Sequence, residues 1–474
     1  MPDIDKTRRI YVYDDFHPED NAMLQALYSR SPQSVVNHIE KIRAAGSGNF
    51  MSKFYVGYGH ASIGDCGSTT IFIENASMLA AKAIQDHPLY NGQEASTRYL
   101  DFSVQPQYDP YDDPASAAIQ EKWLEVYNDF LPRVQEALRQ RHPFSEAEYA
   151  SEKVWEKAIF ARSFDILRSL LPIGTTTLLS WHTNLRQARD HLRELRAHPL
   201  AEIREIARQV FDRLYEFYPH SFTGEEMDPQ SGRYAERNAF QERFALEDHF
   251  LAPDAALSGY SKDEKQKLED YELVWSDRLV DVQRANRAES DYFKSRPKGA
   301  PVSKRLFQYG LYNMGFLLDF GSFRDIQRHR NGYCPIPLAD GRYGMHRWYM
   351  AELEGLLPEK EFEELQTRID AQLEAVKNLR LSNGRERTAL EDQYLFPMGV
   401  ASICHLTYSI PQMVYVSELR AGKTVHPSLR PIAQQMGRIL QKNHPDLQLF
   451  IDTDEDSWSA KRGEQDIQER KMAG

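Results

Sequence analysis

Cysteine is scarce in this chain, and the motifs that cysteine builds are missing. The 474 residues contain three cysteines, Cys66, Cys334 and Cys404, an odd number without the spacing of metal ligands. This usage fits a reducing cytoplasm and argues against a zinc site. The sequence also lacks a Walker loop, a GxGxxG after a strand, an HExxH and a CxxC pair. It therefore predicts no bound metal and no doubly wound dinucleotide domain.

An excess of positive charge is also missing. The net charge is -12, so a general attraction to nucleic acid or to anionic membranes is excluded, and any anion site must be local. The first residues contain no apolar stretch typical of a signal peptide. The segment 393–417 lacks Asp, Glu, Lys and Arg, but Pro397 and Pro411 interrupt it. We expect a buried segment there rather than a membrane helix.

Apolar periodicity indicates an α+β protein. With 41% hydrophobic residues, the chain can form two or three domains with real cores. Long amphipathic helices are predicted at 118–141, 202–218 and 358–381, and an apolar run occupies 306–320. A charge-rich stretch near 220–235 is the predicted junction. It divides the chain into a first half, 1–225, and a second half, 226–474, each expected to be a small, mostly antiparallel sheet packed by long helices.

The two halves echo each other in sequence. Ile-Gln-Asp-His at 84–87 matches Ile-Gln-Arg-His at 326–329 in three of four positions, and an Arg-Tyr follows each, at 98–99 and at 342–343. The order of the surrounding elements also repeats. A tandem duplication or fused dimer explains this pattern, and chance similarity of apolar patterning is the alternative.

The most unusual stretch is Arg328-His329-Arg330, which follows the apolar run Phe316 to Phe320. A charge taken out of water is costly unless it is paired, so two guanidinium groups there need anionic partners. Phosphate and carboxylate are the anions that Arg meets with two parallel hydrogen bonds. The alternative is a solvated basic edge with surface ion pairs.

Several separate motifs resemble those of flavin-dependent thymidylate synthases, the ThyX family. That family has Gly-His-x-Ser, Arg-His-Arg, Glu-x-Ser-x-Arg, Arg-x-x-Leu-Pro, Asn-x-Arg and Leu-Arg. The first half has His60 and Ser62, Glu94, Ser96 and Arg98, Arg168, Asn184 and Arg186, and Arg196 in these motifs, but it has Asp86-His87-Pro88 instead of Arg-His-Arg. The second half supplies Arg328-His329-Arg330 and keeps Leu419-Arg420, but it lacks Glu-x-Ser-x-Arg and has Gln393 and Ser409 in place of Arg168 and Asn184.

The resemblance implies one composite site, because each half lacks what the other has. Family sites are shared between subunits of a homotetramer, so two fused chains are expected to form a homodimer that mimics it. The implied reaction is the reductive methylation of dUMP to dTMP, with FAD, NADPH and methylenetetrahydrofolate. Catalytic roles fall to Arg328, His329 and Glu94. FAD binding falls to Arg328, His329, Arg330, His60, Ser62, Glu94, Asn184 and Arg186. Nucleotide binding falls to Ser96, Arg98, Arg168 and Arg196.

Each residue also has a structural alternative. Arg168 and Arg196 could be ion-pair partners on helices, His60 could cap a turn, and Ser96 and Asn184 could be helix caps. The motif losses leave two other functions open. One is flavin-dependent modification of another pyrimidine nucleotide, and the other is a non-catalytic flavin- or nucleotide-binding protein that kept the fold.

Overall fold

The computed structural model describes residues 15–29, 31, 35–57, 60–98, 100–223, 228, 230–232 and 234–454. The pattern of residues 8–15 predicts a strand, but residues 8–14 lie outside this range, as does Tyr99. The helices are α1 (Pro18–Tyr28), α2 (Val35–Ala45), α3 (Gly48–Phe50), α4 (Met78–Gln85), α5 (Pro114–Arg141), α6 (Glu152–Leu167), α7 (Leu185–Arg196), α8 (Ala201–Phe217), α9 (Ala235–His249), α10 (Pro253–Leu257), α11 (Lys262–Glu269), α12 (Val282–Ser295), α13 (Phe320–Ile326), α14 (Arg347–Leu356), α15 (Glu359–Lys377), α16 (Ile410–Arg420) and α17 (Arg430–Asn443).

The strands are β1 (Ser68–Ser77), β2 (Asn91–Glu94), β3 (Thr176–Asn184), β4 (Phe250–Leu251), β5 (Val274–Val280), β6 (Gly310–Asp319), β7 (Ile336–Pro337) and β8 (Ala401–Ser409). They form two antiparallel three-stranded sheets, ordered β1-β3-β2 and β5-β6-β8, and a short parallel pair of β4 and β7. Long helices with antiparallel sheets confirm the predicted α+β class. Among the described residues, no helix combines the length and apolarity needed to cross a bilayer.

Four units in which a strand passes directly into a helix shape both sheets. The units are β1–α4, β3–α7, β6–α13 and β8–α16. The last residue of each strand also caps the next helix, because its side chain accepts a backbone N–H of the first helical turn. These caps are Ser77, Asn184, Asp319 and Ser409. Such a cap satisfies one of the free donors at the first turn and is worth about 1 kcal/mol.

The caps correct the sequence-based boundaries. Apolar residues at helical spacing predict a helix from Asn75 to Gln85. Ser77 caps α4 instead, and the chain stays in β1 up to that residue, with an irregularity in the pairing between Glu74 and Ala76. The residues 90–101 by themselves predict a loop, but Asn91–Glu94 is the edge strand β2. Its sequence, Asn-Gly-Gln-Glu, has no apolar alternation, so periodicity gave no sign of it.

The two halves meet along a short backbone pairing. Pro172 forms an isolated antiparallel bridge with Pro397. The Ile173 amide donates to the Phe396 carbonyl at 2.9 Å, and the Met398 amide donates to the Leu171 carbonyl at 2.8 Å. The similar Leu-Leu-Pro and Leu-Phe-Pro segments are therefore partners of each other. One large buried cluster, which includes residues from Ile73 to Leu447, runs through both halves.

Candidate functional site

The Arg-His-Arg stretch lies just past α13. Asp319 starts this helix where β6 ends, because its Oδ2 accepts the Ser322 N–H at 2.8 Å. The helix ends at Ile326, and the Gln327 amide donates to the Phe323 carbonyl at 3.0 Å. Because α13 is short and its start is fixed by Asp319, the helix determines the backbone position of Arg328, His329 and Arg330.

The three side chains go in different directions. The Arg330 guanidinium reaches into the first half, where its Nε donates to the Gln85 carbonyl and it lies 4.9 Å from the Tyr90 ring centroid. His329 is buried and accepts at Nε2 a hydrogen bond of 2.9 Å from Arg420 Nε. Arg328 is 46% exposed, and its Nη2 is 3.7 Å from Asp325 Oδ1. Only Arg328 fits the solvated basic edge that was the alternative interpretation.

His329 is a neutral imidazole at neutral pH. Burial lowers its pKa to about 3, and the neighbouring Arg420 contributes in the same direction. Since Nε2 accepts from Arg420, the ring proton belongs on Nδ1. Arg420 also donates from Nη2 to the Asp325 carbonyl at 2.8 Å, so it ties α16 to α13. The motif analysis kept this arginine only as part of Leu419-Arg420 and gave it no role.

Asp325 is the anion around which arginines of both halves gather. Burial raises the pKa of its carboxyl, but Arg328, Arg98, Arg420 and Arg168 lower it more, and the net pKa falls well below the ordinary value. The pKa of Arg420 is lowered as well, first by burial and then by repulsion from the nearby Arg328 and Arg98. Arg98 therefore lies in the same cluster as the Arg-His-Arg stretch, within one chain.

Arg98 already has strong partners. Its Nε is 2.7 Å from Asp165 Oδ1, and its Nη2 is 3.3 Å from Asp165 Oδ2 and 3.2 Å from the Thr424 carbonyl. The Arg98 side chain is 14% exposed and that of Asp165 is fully buried. Next to it, the Ser96 hydroxyl accepts the Arg98 backbone N–H at 3.3 Å, which stabilises the turn rather than a helix start.

Glu94 is a buried counter-ion shared by both halves. Its carboxylate pairs with Arg324 through Oε1 and, at 3.2 Å, with Lys82 through Oε2. Lys82 and Arg324 occupy corresponding positions in α4 and α13, five residues after the caps Ser77 and Asp319. Burial raises the pKa of Glu94, but Arg324 and Lys82 outweigh it and bring the pKa to about 2. Sequence analysis missed both cations, because nothing in their local pattern separates them from surface charges.

Arg168 and Arg196 lie in different environments. Arg168 is 2% exposed, and its Nη2 donates to Ser322 Oγ at 2.8 Å and lies 3.8 Å from Asp319 Oδ2. This buried arginine of the first half thus holds the start of α13 in the second. Arg196 Nη1 is 3.3 Å from Glu242 Oε1, an ion pair of the kind that the alternative interpretation described.

The remaining predicted residues form a separate group. Asn184 caps α7 by accepting the Gln187 N–H at 2.9 Å, and Arg186 Nε is 2.6 Å from Asp65 Oδ1. Asp65 and Ser62 belong to the 3-10 helix Ala61–Cys66, which His60 precedes. Asn184 pairs with Ser68, the end of β1 opposite to α4. The flavin-binding set predicted from the motifs is therefore split within one chain.

A pocket of about 880 Å³ lies beside the Arg-His-Arg stretch. Its wall includes Asn331, next to Arg330, and Gln412, whose Nε2 donates to the His329 carbonyl at 3.3 Å. Other walls carry aromatic and cationic side chains, namely Phe307, Tyr415, Phe450, Arg296, Lys298 and Lys304. The volume and the mixed lining are typical of sites for cofactors or nucleotides.

Fold and site together define an α+β protein with a buried arginine cluster where two strand–helix units meet. Residues 14–220 match the model of the family described as "thymidylate synthase complementing protein". This segment is similar to that family, in agreement with the resemblance that the motifs indicate.

Two similar curated proteins come from Chlamydia and Thermoplasma. A UPF0159 protein of Chlamydia pneumoniae is 25% identical over 443 residues, covering 85% of this chain and 80% of its own length. A UPF0159 protein of Thermoplasma acidophilum is 20% identical over 484 residues, covering 92% of this chain and 95% of its own length. These names state no activity, but the similarity extends far beyond residue 220.

Proposed function

We propose that the chain is a flavin-dependent enzyme that methylates dUMP to dTMP, with methylenetetrahydrofolate as carbon donor and NADPH as reductant. The observation that carries the proposal is the convergence of Arg98 from the first half with Arg328 and Arg420 from the second, around Asp325 and beside His329. Arginines from separate elements repel each other unless anions neutralise them, and the single carboxylate of Asp325 faces several of these guanidinium groups.

The nucleotide phosphate fits the exposed side of this cluster. A nucleoside monophosphate carries about two negative charges near neutral pH. Arg328, which is 46% exposed and 3.7 Å from Asp325, has donors available at this surface, and we assign them to the pyrophosphate of the flavin. Arg98 would share its fork between Asp165 and the phosphate. Arg168 is buried on Ser322 and Asp319, so we assign it a positioning role, and nucleotide contacts by Ser96 and Arg196 stay predictions.

The residues present also fit FAD. The 880 Å³ pocket combines the aromatic walls of Tyr415 and Phe307 with the cations Lys298 and Lys304, which suits an isoalloxazine ring and a pyrophosphate. When bound, this cofactor supplies the hydride that the methylation consumes. The chain's own part is to orient and to hold a proton: His329 is fixed by Arg420, and its Nδ1–H is a donor on a neutral ring.

Completion of the site by a second chain is part of the proposal. Arg330 is anchored to the first half of its own chain, while His60, Ser62, Asn184 and Arg186 lie at the far end of β1. A homodimer would bring one chain's second group to the other chain's Arg-His-Arg. The outer side of β1 and α8 has the apolar surface that a dimer needs, with Phe72 75% exposed and Phe217 67% exposed. Light scattering of the purified chain tests this expectation.

One observation favours a second candidate, a flavin or nucleotide binder without catalysis. The main cations already have carboxylate partners inside the chain: Arg98 has Asp165, and Arg324 has Glu94. Such pairing makes a stable site without any ligand.

Tritium release from 5-labelled dUMP, with NADPH and methylenetetrahydrofolate, tests the enzyme. We expect flavin absorbance in the purified protein and release of label from dUMP. Flavin without release for any pyrimidine nucleotide favours the non-catalytic binder. Release from another nucleotide only would change the substrate and keep the chemistry.

Two variants test the composite site. We expect Arg328→Ala to lose flavin and Arg98→Ala to bind dUMP more weakly while keeping flavin. Arg342→Ala is the matched control, because Arg342 follows the loop that corresponds to that of Arg98 but pairs with Asp340 and Asp254. If Arg98→Ala and Arg328→Ala lose the same ligand to the same extent, the division of work between the halves is wrong.

A further inference from the structure

The end of α4 and the last turns of α7 bring two histidines and a glutamate together. The ligating atoms of His87, His191 and Glu194 all lie within 4.8 Å of one another. His191 is 1% exposed, whereas the Glu194 side chain is 48% exposed, so the cluster has a buried floor and one side open to solvent. Nothing in the proposed methylation uses these residues.

The tautomer of His191 is set by its surroundings. Its Nε2 lies 2.8 Å from the Ile84 carbonyl oxygen, which can only accept, so Nε2 carries a proton. In the neutral ring, Nδ1 then has a lone pair, and it lies 3.4 Å from Glu194 Oε2. Two acceptors at this distance repel each other unless a proton or a cation lies between them. A histidine whose second nitrogen donates to a backbone carbonyl is typical of metal ligands.

His87 completes the set from a second element. Its ring centroid is 4.5 Å from that of His191. A neutral histidine ring offers one nitrogen lone pair to a metal ion. At Nδ1, His87 accepts a long hydrogen bond of 3.3 Å from the Leu89 amide, so ligation gives up at most this weak contact.

Imidazoles surround the Glu194 carboxylate on more than one side. Burial raises its pKa, but His191, His87 and His249 together lower it further, and the net pKa falls below the ordinary value. His249 is the last residue of α9 and comes from the second half. A half-exposed carboxylate next to imidazole nitrogens is a ligand arrangement that suits a divalent cation.

We propose that His87, His191 and Glu194 bind a divalent transition-metal ion, with Zn²⁺ as the first candidate. Two imidazole nitrogens and one carboxylate oxygen are a ligand set that Zn²⁺ accepts, with a fourth position for water or for His249. The ion would clamp the end of α4 to the end of α7. No local motif predicts this site, because His87 and His191 lie 104 residues apart in sequence.

The His87 cluster occupies the position that corresponds to His329 and its partner Arg420 in the second half. His87 corresponds to His329 in the repeated Ile-Gln-x-His motif. His329 contacts Arg420 at the end of α16, whereas His87 contacts His191 in α7. The first half thus has metal-ligand chemistry where the second half has an arginine cluster. The proposal does not depend on the methylation reaction.

Titration of the tag-free, chelator-treated chain with ZnCl₂ alone, followed by calorimetry, tests the site. We expect one saturable Zn²⁺ per chain and a higher unfolding temperature with the ion. His87→Ala and Glu194→Gln should each weaken binding by roughly tenfold or more. The matched control is His182→Ala, since His182 is exposed on β3 and contacts only Thr70 Oγ1, at 3.0 Å, among the hydrogen bonds described for its side chain.

The result that overturns the proposal is equally direct. Absence of saturable binding means that a proton, not a metal, lies between His191 and Glu194. Unchanged affinity in both His87→Ala and Glu194→Gln means that Zn²⁺ binds elsewhere. Because Glu194 is half exposed, Glu194→Gln is expected to fold, and circular dichroism checks that it does. Co²⁺ in place of Zn²⁺ gives a second readout, a visible absorption band that should disappear in both variants.

Discussion

Replacing Glu94 by glutamine should destabilise this protein far more than an ordinary loss of one ion pair. The Glu94 carboxylate is 2% exposed and is the shared partner of Lys82 and Arg324, both buried. Glu94→Gln keeps the shape but leaves two cations without an anion. Removing one member of a buried pair costs about 3–5 kcal/mol.

The two cations contribute differently to this cost. Burial already lowers the pKa of Lys82 to about 8, so Lys82 can lose its proton near neutral pH for about 1.4 kcal/mol. Arg324 cannot lose its proton, so it should account for most of the penalty. The double variant Glu94→Gln/Arg324→Met removes the stranded guanidinium and should recover part of the lost stability.

Denaturant unfolding at pH 7 measures these differences. Glu205→Gln is the matched control, because Glu205 pairs with Arg208 on the exposed side of α8, where an ion pair is worth about 1 kcal/mol or less. The reasoning is refuted if Glu94→Gln lies within about 0.5 kcal/mol of the parent protein, since that is the range of ordinary surface substitutions.

The pH dependence gives an independent check. The folded protein lowers the pKa of Glu94 from 4.5 to about 2, so folding favours the charged form. This stabilisation, about 3 kcal/mol, is complete above pH 4.5 and is lost as the pH falls towards 2. The difference between the parent and Glu94→Gln should therefore shrink over this interval. A difference that stays constant down to pH 2 contradicts the assignment.

Three further predictions follow from the contacts. Arg168→Met removes the buried cation 3.8 Å from the Asp319 carboxylate, which keeps hydrogen bonds from Tyr349 and Ser428. It should lower the free energy of unfolding by about 1–3 kcal/mol, and a loss below about 0.5 kcal/mol contradicts the buried pairing. Gly399→Ala places a Cβ 2.8 Å from the carbonyl of the facing segment of the first half, and should cost about 1–3 kcal/mol in the same assay, whereas an unchanged midpoint means that the two halves do not pair there. A thiol reagent should label Cys66 in the native protein well before Cys334, which is buried and whose pKa burial raises well above 9; equal labelling rates, followed by mass spectrometry, count against this burial.

Local sequence was sufficient for the elements with strong local signals. Long amphipathic periods predicted α5, α8 and α15, and the helix boundaries that moved did so because a cap decided them, as Ser77 did for α4. A residue that both ends a strand and caps the next helix acts only on its neighbours in sequence, so the boundary that it sets can be recognised from the local sequence. The edge strand β2 was missed because Asn-Gly-Gln-Glu pairs only through its backbone, which leaves no apolar pattern.

The family motifs pointed to candidate side chains, but not to where each one lies in the fold. Arg168 and Arg420 both came from motif positions. The fold buried Arg168 under the start of α13 and placed Arg420, to which no role had been assigned, on His329. Sequence spacing says nothing about contacts between residues hundreds of positions apart, and these contacts decide which guanidinium reaches solvent.

The sequence by itself determined the long helices, the caps and the resemblance to the family, because caps, periodicity and motifs are properties of neighbouring residues. Only the tertiary structure decided that Glu94 would neutralise a cation from each half and that Asp325 would gather arginines from both. Burial and charge pairing depend on the whole fold, since a side chain loses its water only when distant segments close over it. The charge environment of Glu94 and Asp325 therefore depends on contacts between residues that are distant in the sequence.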